Sequence, residues 1–280
     1  MKTLLRTAFS CVAALAMTAA HAHEFWMLPG SFHLPTAAAT TLSLAVGEDF
    51  IGEPVAFAPA LIAGLRRVSA EGTEELDARS AGGALGPRIL VRLPRAGTHL
   101  FALETQPIEN ELPAADFNEY LREEGLHAVR QARAAAGTSE LPGRERYRRN
   151  IKTLVQVGGQ SDEAWKTRVG QRLEIVPAAD PLQISAPASL TLQLLFDAQP
   201  LAGALVKLWH GTGVVAERVT DASGHVTVPI TRPGRWMASV VHMLPAPAGS
   251  NFDWDSYWGS LTFATRGGAQ QAAGSGAPRR

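Results

Sequence analysis

The chain has 280 residues, with 26 basic and 26 acidic side chains giving a formal charge of +0 at pH 7. That balance gives no footing for nucleic acid as a partner. The single cysteine, Cys11, lies in the leader described next, so the rest of the chain can have neither a disulfide nor thiolate chemistry.

Residues 1–22 read as a secretory signal peptide. Lys2 and Arg6 form a basic start, an apolar run extends from Ala8 to Met17, and Ala20-His21-Ala22 is the small-residue cleavage site. Removing this leader leaves 24 basic against 26 acidic side chains, a formal charge of −2. After it, no apolar run approaches the roughly 20 residues that span a bilayer. The expectation is an exported protein of the periplasm, without a membrane span in its mature form. Cleavage after Ala22 makes His23 the first residue, with a free amine (pKa roughly 7.7–8.0) and an imidazole (roughly 6.5) that can chelate one metal ion at neutral pH. Cleavage after Ala20 instead leaves His21-Ala22-His23, whose third-position histidine suits square-planar Cu(II) or Ni(II).

From residue 40 the pattern is that of strands. Thr41 to Val46 alternates with period two and ends at Gly47, Arg66 to Ala70 is a second candidate, and Arg88 to Leu93 is bounded by Pro87 and Pro94. Arg95-Ala96-Gly97 turns into the strand Thr98 to Leu103, which carries His99. After Pro113 the period changes. Ala114 to Ala136 predicts a helix broken at Gly125 and ended by Gly137, with Phe117, Tyr120 and Leu121 on one face and His127 at its surface. Tyr147, Ile151, Leu154 and Val155 predict a second helix after Gly143, its other side carrying Arg144, Arg146, Arg148, Arg149 and Lys152 as a solvated charged face.

Beta patterning resumes at residue 171. Candidate strands are Leu190 to Leu194, Ala204 to Trp209, Val214 to Thr220, His225 to Ile230, Trp236 to Met243 and Tyr257 to Ala264. The turn Asp221-Ala222-Ser223-Gly224 has its glycine placed for positive φ. Short strands at this spacing predict a mainly β fold of two antiparallel immunoglobulin-like β-sandwiches with a helical insertion between them. The expected division is a signal peptide (1–22), an N-terminal sandwich (23–112), the insertion (113–170), a C-terminal sandwich (171–265) and a disordered Gly/Ala/Gln-rich tail (266–280).

Few residues announce chemistry. Period two places His242 on one face with Trp236, Ala238 and Val240, at the end of a core face where it can bind a metal or a neighbouring carbonyl. Trp254, Asp255, Tyr257 and Trp258 form a candidate binding surface for a sugar. Glu123-Glu124 is an ordinary pair in a charged helix. There is no Gly-rich phosphate loop, Gly-x-Ser-x-Gly elbow or His-Glu-x-x-His motif, and no catalytic set stands out.

His23-Glu24-Phe25-Trp26, the run Phe117 to Leu126, Gly143 to Tyr147, Gly234 to Met243 and the closing run Trp254 to Phe263 resemble domain-of-unknown-function family 4198. The resemblance implies an exported protein grouped with periplasmic components of nickel and cobalt uptake, and it puts His23 and His242 at family-typical positions. Members related to nickel uptake carry a His-Pro-Phe element; here the comparable stretch is Gly52-Glu53-Pro54-Val55, which lacks that histidine and one ligand with it. The expected function is therefore periplasmic binding of a divalent transition metal (nickel, cobalt or copper) through His23 and His242, accessory to an inner-membrane uptake transporter. The alternatives are an envelope glycan- or protein-binding module, and a copper enzyme built on an amino-terminal histidine.

Overall fold

The computed structural model describes residues 24–36, 38–48, 50–80 and 87–267. The first nine strands are β1 (Glu24–Pro29), β2 (His33–Leu34), β3 (Ala38–Glu48), β4 (Ile51–Val55), β5 (Ile62–Ser69), β6 (Gly72–Glu75), β7 (Arg88–Leu93), β8 (Gly97–Thr105) and β9 (Ile108–Leu112). Helices α1 (Ala114–Glu123) and α2 (His127–Ala135) follow. The chain continues through β10 (Gly143–Val157), β11 (Leu173–Pro177), β12 (Ala188–Phe196), β13 (Gln199–Pro200), β14 (Leu205–His210) and β15 (Gly213–Val219). It ends with β16 (His225–Ile230), β17 (Gly234–Pro245) and β18 (Trp254–Thr265). The predicted signal peptide, His23 and tail residues 268–280 lie outside the described residues.

The fold is mainly β and its strand pairs are mostly antiparallel, in three sheets. A ten-stranded sheet runs β15-β14-β17-β18-β10-β8-β5-β6, with β2 and β9 also paired to β10. β1, β3, β4 and β7 make one four-stranded sheet, and β11, β12, β13 and β16 make another. Alternation along the large sheet shows where the small ones sit. Leu100, Ala102 and Leu154 join a core with Leu173, Leu192 and Val228 of the β11–β12–β16 sheet. Their neighbours Phe101, Leu103, Ile151 and Val155 join a core with Leu42, Leu44 and Val91 of the β3–β7 sheet. Successive residues of a strand point to opposite faces, so the two small sheets cover opposite faces of the large one. The strand-rich regions before and after the helices thus share one continuous sheet instead of standing apart.

That continuity comes from β10, where the expected helix is wrong. Residues 143–157 form a 15-residue strand. Its register with β18 is parallel, from Glu145 opposite Trp254 to Thr153 opposite Thr262, so the sheets are not purely antiparallel. The helical spacing misled because the strand is covered on both faces from Asn150 to Val157 and buries Asn150, Lys152, Thr153 and Gln156 among its apolar residues. A strand buried on both faces loses its apolar–polar alternation. Arg148 and Arg149 are half-buried on this strand, not solvated on a helix. Each fully buried Ile, Leu or Val here contributes roughly 1.5–3 kcal/mol.

The first helical stretch does divide at Gly125 (φ 65°) and end at Gly137 (φ 66°). Phe117, Tyr120 and Leu121 of α1 and Val129 of α2 pack on Val241, Met243, Trp254 and Trp258, the ends of β17 and β18. Val241 and Ser239 share a face of β17, and Ser239 meets Glu24, so the helices lie on the same face of the large sheet as β1. A Cβ on Gly125 would stand 2.8 Å from the Leu205 side chain, so this turn lets α1 close down on β14. No helix among the described residues is long and apolar enough to cross a membrane.

Candidate functional site

Three elements converge where β1 begins. Glu24 starts β1, Glu124 follows the last turn of α1, and Lys207 lies on β14, opposite Ser239 of β17. They line a cleft of about 440 Å³ with Gly47, Glu48, Arg122, Glu123, Leu205, Trp209, Val214 and Glu217. The lining carries five carboxylates against two cations, so the cleft is acidic in a chain close to neutral overall. The innermost groups are out of water: Glu24 is 4%, Glu124 3% and Lys207 8% exposed.

Their hydrogen bonds form two separate sets. Lys207 Nζ donates to Glu124 Oε1 at 2.6 Å. The Trp209 indole N–H donates to Ser239 Oγ at 2.8 Å, and that hydroxyl donates to Glu24 Oε1 at 2.9 Å. Burial pushes the Glu24 carboxyl up, against the opposing pull of Lys207, the Ser239 hydroxyl and Arg149. Burial and then repulsion from Glu24 raise Glu124 to about 7, with Lys207 opposing. Burial works against the Lys207 charge, but Glu124 and Glu24 outweigh it and hold its ammonium above the usual lysine value. Two buried carboxylates thus face Lys207, with Arg149 also acting on Glu24, and burial still outweighs these cations at both.

His242 is elsewhere. Its ring packs 4.5 Å from that of Phe196, and burial followed by Arg172 holds its imidazole below the ordinary value. β17 pairs β18 without a register shift from Gly234 to Pro245, so Ser239 and His242 point to opposite faces. Ser239 faces Glu24; His242 faces the β11–β12 sheet. The other predicted ligand, His23, lies outside the described residues and is joined to Glu24 by one peptide bond.

Trp254, Asp255, Tyr257 and Trp258 do not form an exposed binding surface. They lie on β18 and are 7%, 8%, 2% and 7% exposed. Trp254 and Trp258 pack under the helices and Tyr257 enters the main core, because alternate β18 residues face different layers. Asp255 is held by Arg146 Nε at 2.7 Å and Arg148 Nη1 at 3.3 Å. His99 is buried and its Nε2 lies 3.1 Å from the Arg95 carbonyl.

Glu24, Glu124 and Lys207 were not singled out by the sequence patterns. One signal was available: Lys207 alternates with Leu205 and Trp209 on one face of β14, and a charge in such a position needs a buried partner. Among the described residues, no group of three or more His, Cys, Asp or Glu side chains could hold a metal ion. The carboxylate pair therefore needs a further donor to make a metal site.

A model of the family described as "Domain of unknown function (DUF4198)" matches residues 20–244. No curated protein matches this sequence. Among solved structures, the fibronectin(III)-like modules of Clostridium thermocellum CbhA are similar at 9% identity and a TM-score of 0.19, over 85% of this chain and 94% of that one. Murine CEACAM1b is similar at 8% identity and a TM-score of 0.21, over 86% of this chain and all of that one (100%).

Proposed function

We propose that this chain, which belongs to the DUF4198 family, binds a divalent transition metal ion (nickel, cobalt or copper) as periplasmic cargo for an inner-membrane uptake transporter. The site combines the amine and imidazole of a mature amino-terminal His23 with the carboxylates of Glu24 and Glu124. The observation that carries this reading is the pair of buried carboxylates, Glu24 and Glu124, lining a cleft at the head of β1, one peptide bond from the predicted mature terminus. A bound divalent ion would add positive charge to carboxylates that burial holds up despite Lys207 and Arg149. Nitrogen and carboxylate donors together suit Zn, Cu or Ni, and Cu(II) should bind tightest in vitro whatever the physiological metal. His242 faces the opposite side of the large sheet from Glu24, so Glu124 replaces it as the distal ligand. We read each small sheet, with the part of the large sheet it covers, as one immunoglobulin-like sandwich, the two fused through β10.

The test is calorimetric titration with Ni(II), Co(II), Cu(II) and Zn(II) on protein beginning at His23 and on the same protein with one extra glycine before it. Mass spectrometry of the exported protein establishes the natural terminus. The extra residue should weaken binding at least tenfold. Equal affinity in both forms would remove the amine from the site.

A further inference from the structure

We infer that Arg148 and His242 form a binding site for a hydroxylated carboxylic acid, of the size of a uronic acid, on the face of the large sheet opposite Glu24. The site is independent of the metal-binding reading above, since neither residue lines the cleft at the head of β1.

Arginine pairing in this part of the molecule follows one pattern, and Arg148 departs from it. Arg144, Arg146 and Arg172 each present Nε and Nη2, one planar edge of the guanidinium, to both oxygens of an aspartate. The partners are Asp253 (3.2 and 2.8 Å), Asp255 (2.7 and 2.9 Å) and Asp197 (both 2.6 Å). Arg148 meets only Asp255, through Nη1 at 3.3 Å, and Arg146 already holds that carboxylate by both oxygens. Among the described residues the Nε and Nη2 of Arg148 have no hydrogen-bond partner, and both reach solvent. The side chain is nonetheless held in place: it is 26% exposed, and its guanidinium carbon lies 5.7 Å from the centre of the Tyr257 ring. A positioned, open guanidinium edge matches the two oxygens of a carboxylate.

His242 supplies the second contact. It is half-buried against Phe196, and among the described residues neither ring nitrogen has a hydrogen-bond partner, while both reach solvent. The two residues stand in one row across three strands, with His242 opposite Tyr257 and Tyr257 opposite Arg148. Residues opposite one another share a face, so both side chains leave the sheet on the same side, from backbones two strand spacings or about 10 Å apart. Arg172, its edge closed by Asp197, lies over Tyr257 between them. A lone small anion reaches only one end of this row. An acid that carries a hydroxyl several bonds from its carboxylate reaches both, with the carboxylate on Arg148 and the hydroxyl on His242.

The test is calorimetric titration of the chain beginning at His23 with sodium glucuronate, set against sodium phosphate and sodium chloride at equal ionic strength. Glucuronate should bind saturably, at least tenfold more tightly than phosphate. Arg148→Lys keeps the charge but removes the planar edge, and it should weaken glucuronate at least tenfold. His242→Phe keeps a ring without donor or acceptor and should weaken it severalfold. Absence of saturable glucuronate binding, phosphate bound as tightly, or an affinity unchanged in Arg148→Lys overturns the inference.

Nuclear magnetic resonance of the arginine Nε–H groups in the wild type decides independently of any folding defect in a variant. Glucuronate should shift the Arg148 signal and the His242 ring signals. Those of Arg146 and Arg172, whose Nε–H groups are already closed on Asp255 and Asp197, should stay in place. An unmoved Arg148 signal at saturating glucuronate overturns the inference.

Discussion

Two buried lysine–glutamate pairs in this protein look alike by distance and differ in everything else. Lys152 Nζ lies 2.5 Å from Glu174 Oε1 and 3.2 Å from the Ile175 carbonyl, and the carboxylate also accepts the backbone N–H groups of Val169 at 2.6 Å and Gly170 at 3.1 Å. Both side chains are nearly inaccessible, at 1% and 3%. The anion has three donors, and the pair ties β10 to β11. Lys207 and Glu124 lie 2.6 Å apart, with Glu24 a second anion and Arg149 a second cation nearby, but this group opens on a cleft. What separates a structural pair from a candidate site is the presence of an entrance, not the ion-pair distance.

The largest expected effect comes from breaking the closed pair. Glu174→Ala leaves the Lys152 charge buried without its partner and should cost about 3–5 kcal/mol in urea unfolding. The double variant Lys152→Met/Glu174→Leu should recover most of that loss, since two apolar side chains leave no uncompensated charge. A double variant as unstable as the single one would mean that packing, not charge, dominates there.

The open cluster should respond to pH instead. Glu124 is raised from 4.5 to about 7 in the folded protein. Between those values the folded state binds more protons than the unfolded state, so metal-free stability must fall as pH rises through this window and level off above it. The raised value corresponds to a total of about 3 kcal/mol at 1.36 kcal/mol per pH unit, shared with Glu24. Glu124→Gln should flatten the slope between pH 4.5 and 7 while leaving the protein folded. A slope unchanged by the substitution would place the titrating group elsewhere.

The smallest effect belongs to exposed pairs. Lys166 and Glu163 lie 2.6 Å apart with side chains 47% and 79% exposed. Lys166→Ala should change stability by no more than about 0.5 kcal/mol in urea unfolding, because solvent and salt screen such a pair. A loss of several kcal/mol there would show that distance alone had been informative after all.

Much of the fold was legible because its strands are half-covered and bounded by turns. Arg88–Leu93 and His225–Ile230 were read to the residue, since each buries alternate side chains against a single neighbouring layer. β10 was illegible for the opposite reason: it is covered on both faces and buries Lys152 and Gln156 through partners remote in sequence, Glu174 and Thr98. Sequence periodicity records burial, and burial on two faces has no period. Glu124 was hidden in the same way. Glu123 and Glu124 are neighbours on a charged helix, and only the closure of α1 onto β14 at Gly125 buries one of them and not the other. His242 was placed correctly at the edge of a core face, but no pattern in the sequence could tell which of the two outer layers that face would meet.

Anomalous diffraction from crystals of the chain beginning at His23, soaked with Zn(II) and recorded at the zinc edge, tests the central claim most directly. The account predicts one peak in the cleft, about 2.0–2.2 Å from carboxylate oxygens of Glu24 and Glu124 and from nitrogen of His23. A peak at His242, or none in the cleft at saturating zinc, would contradict it.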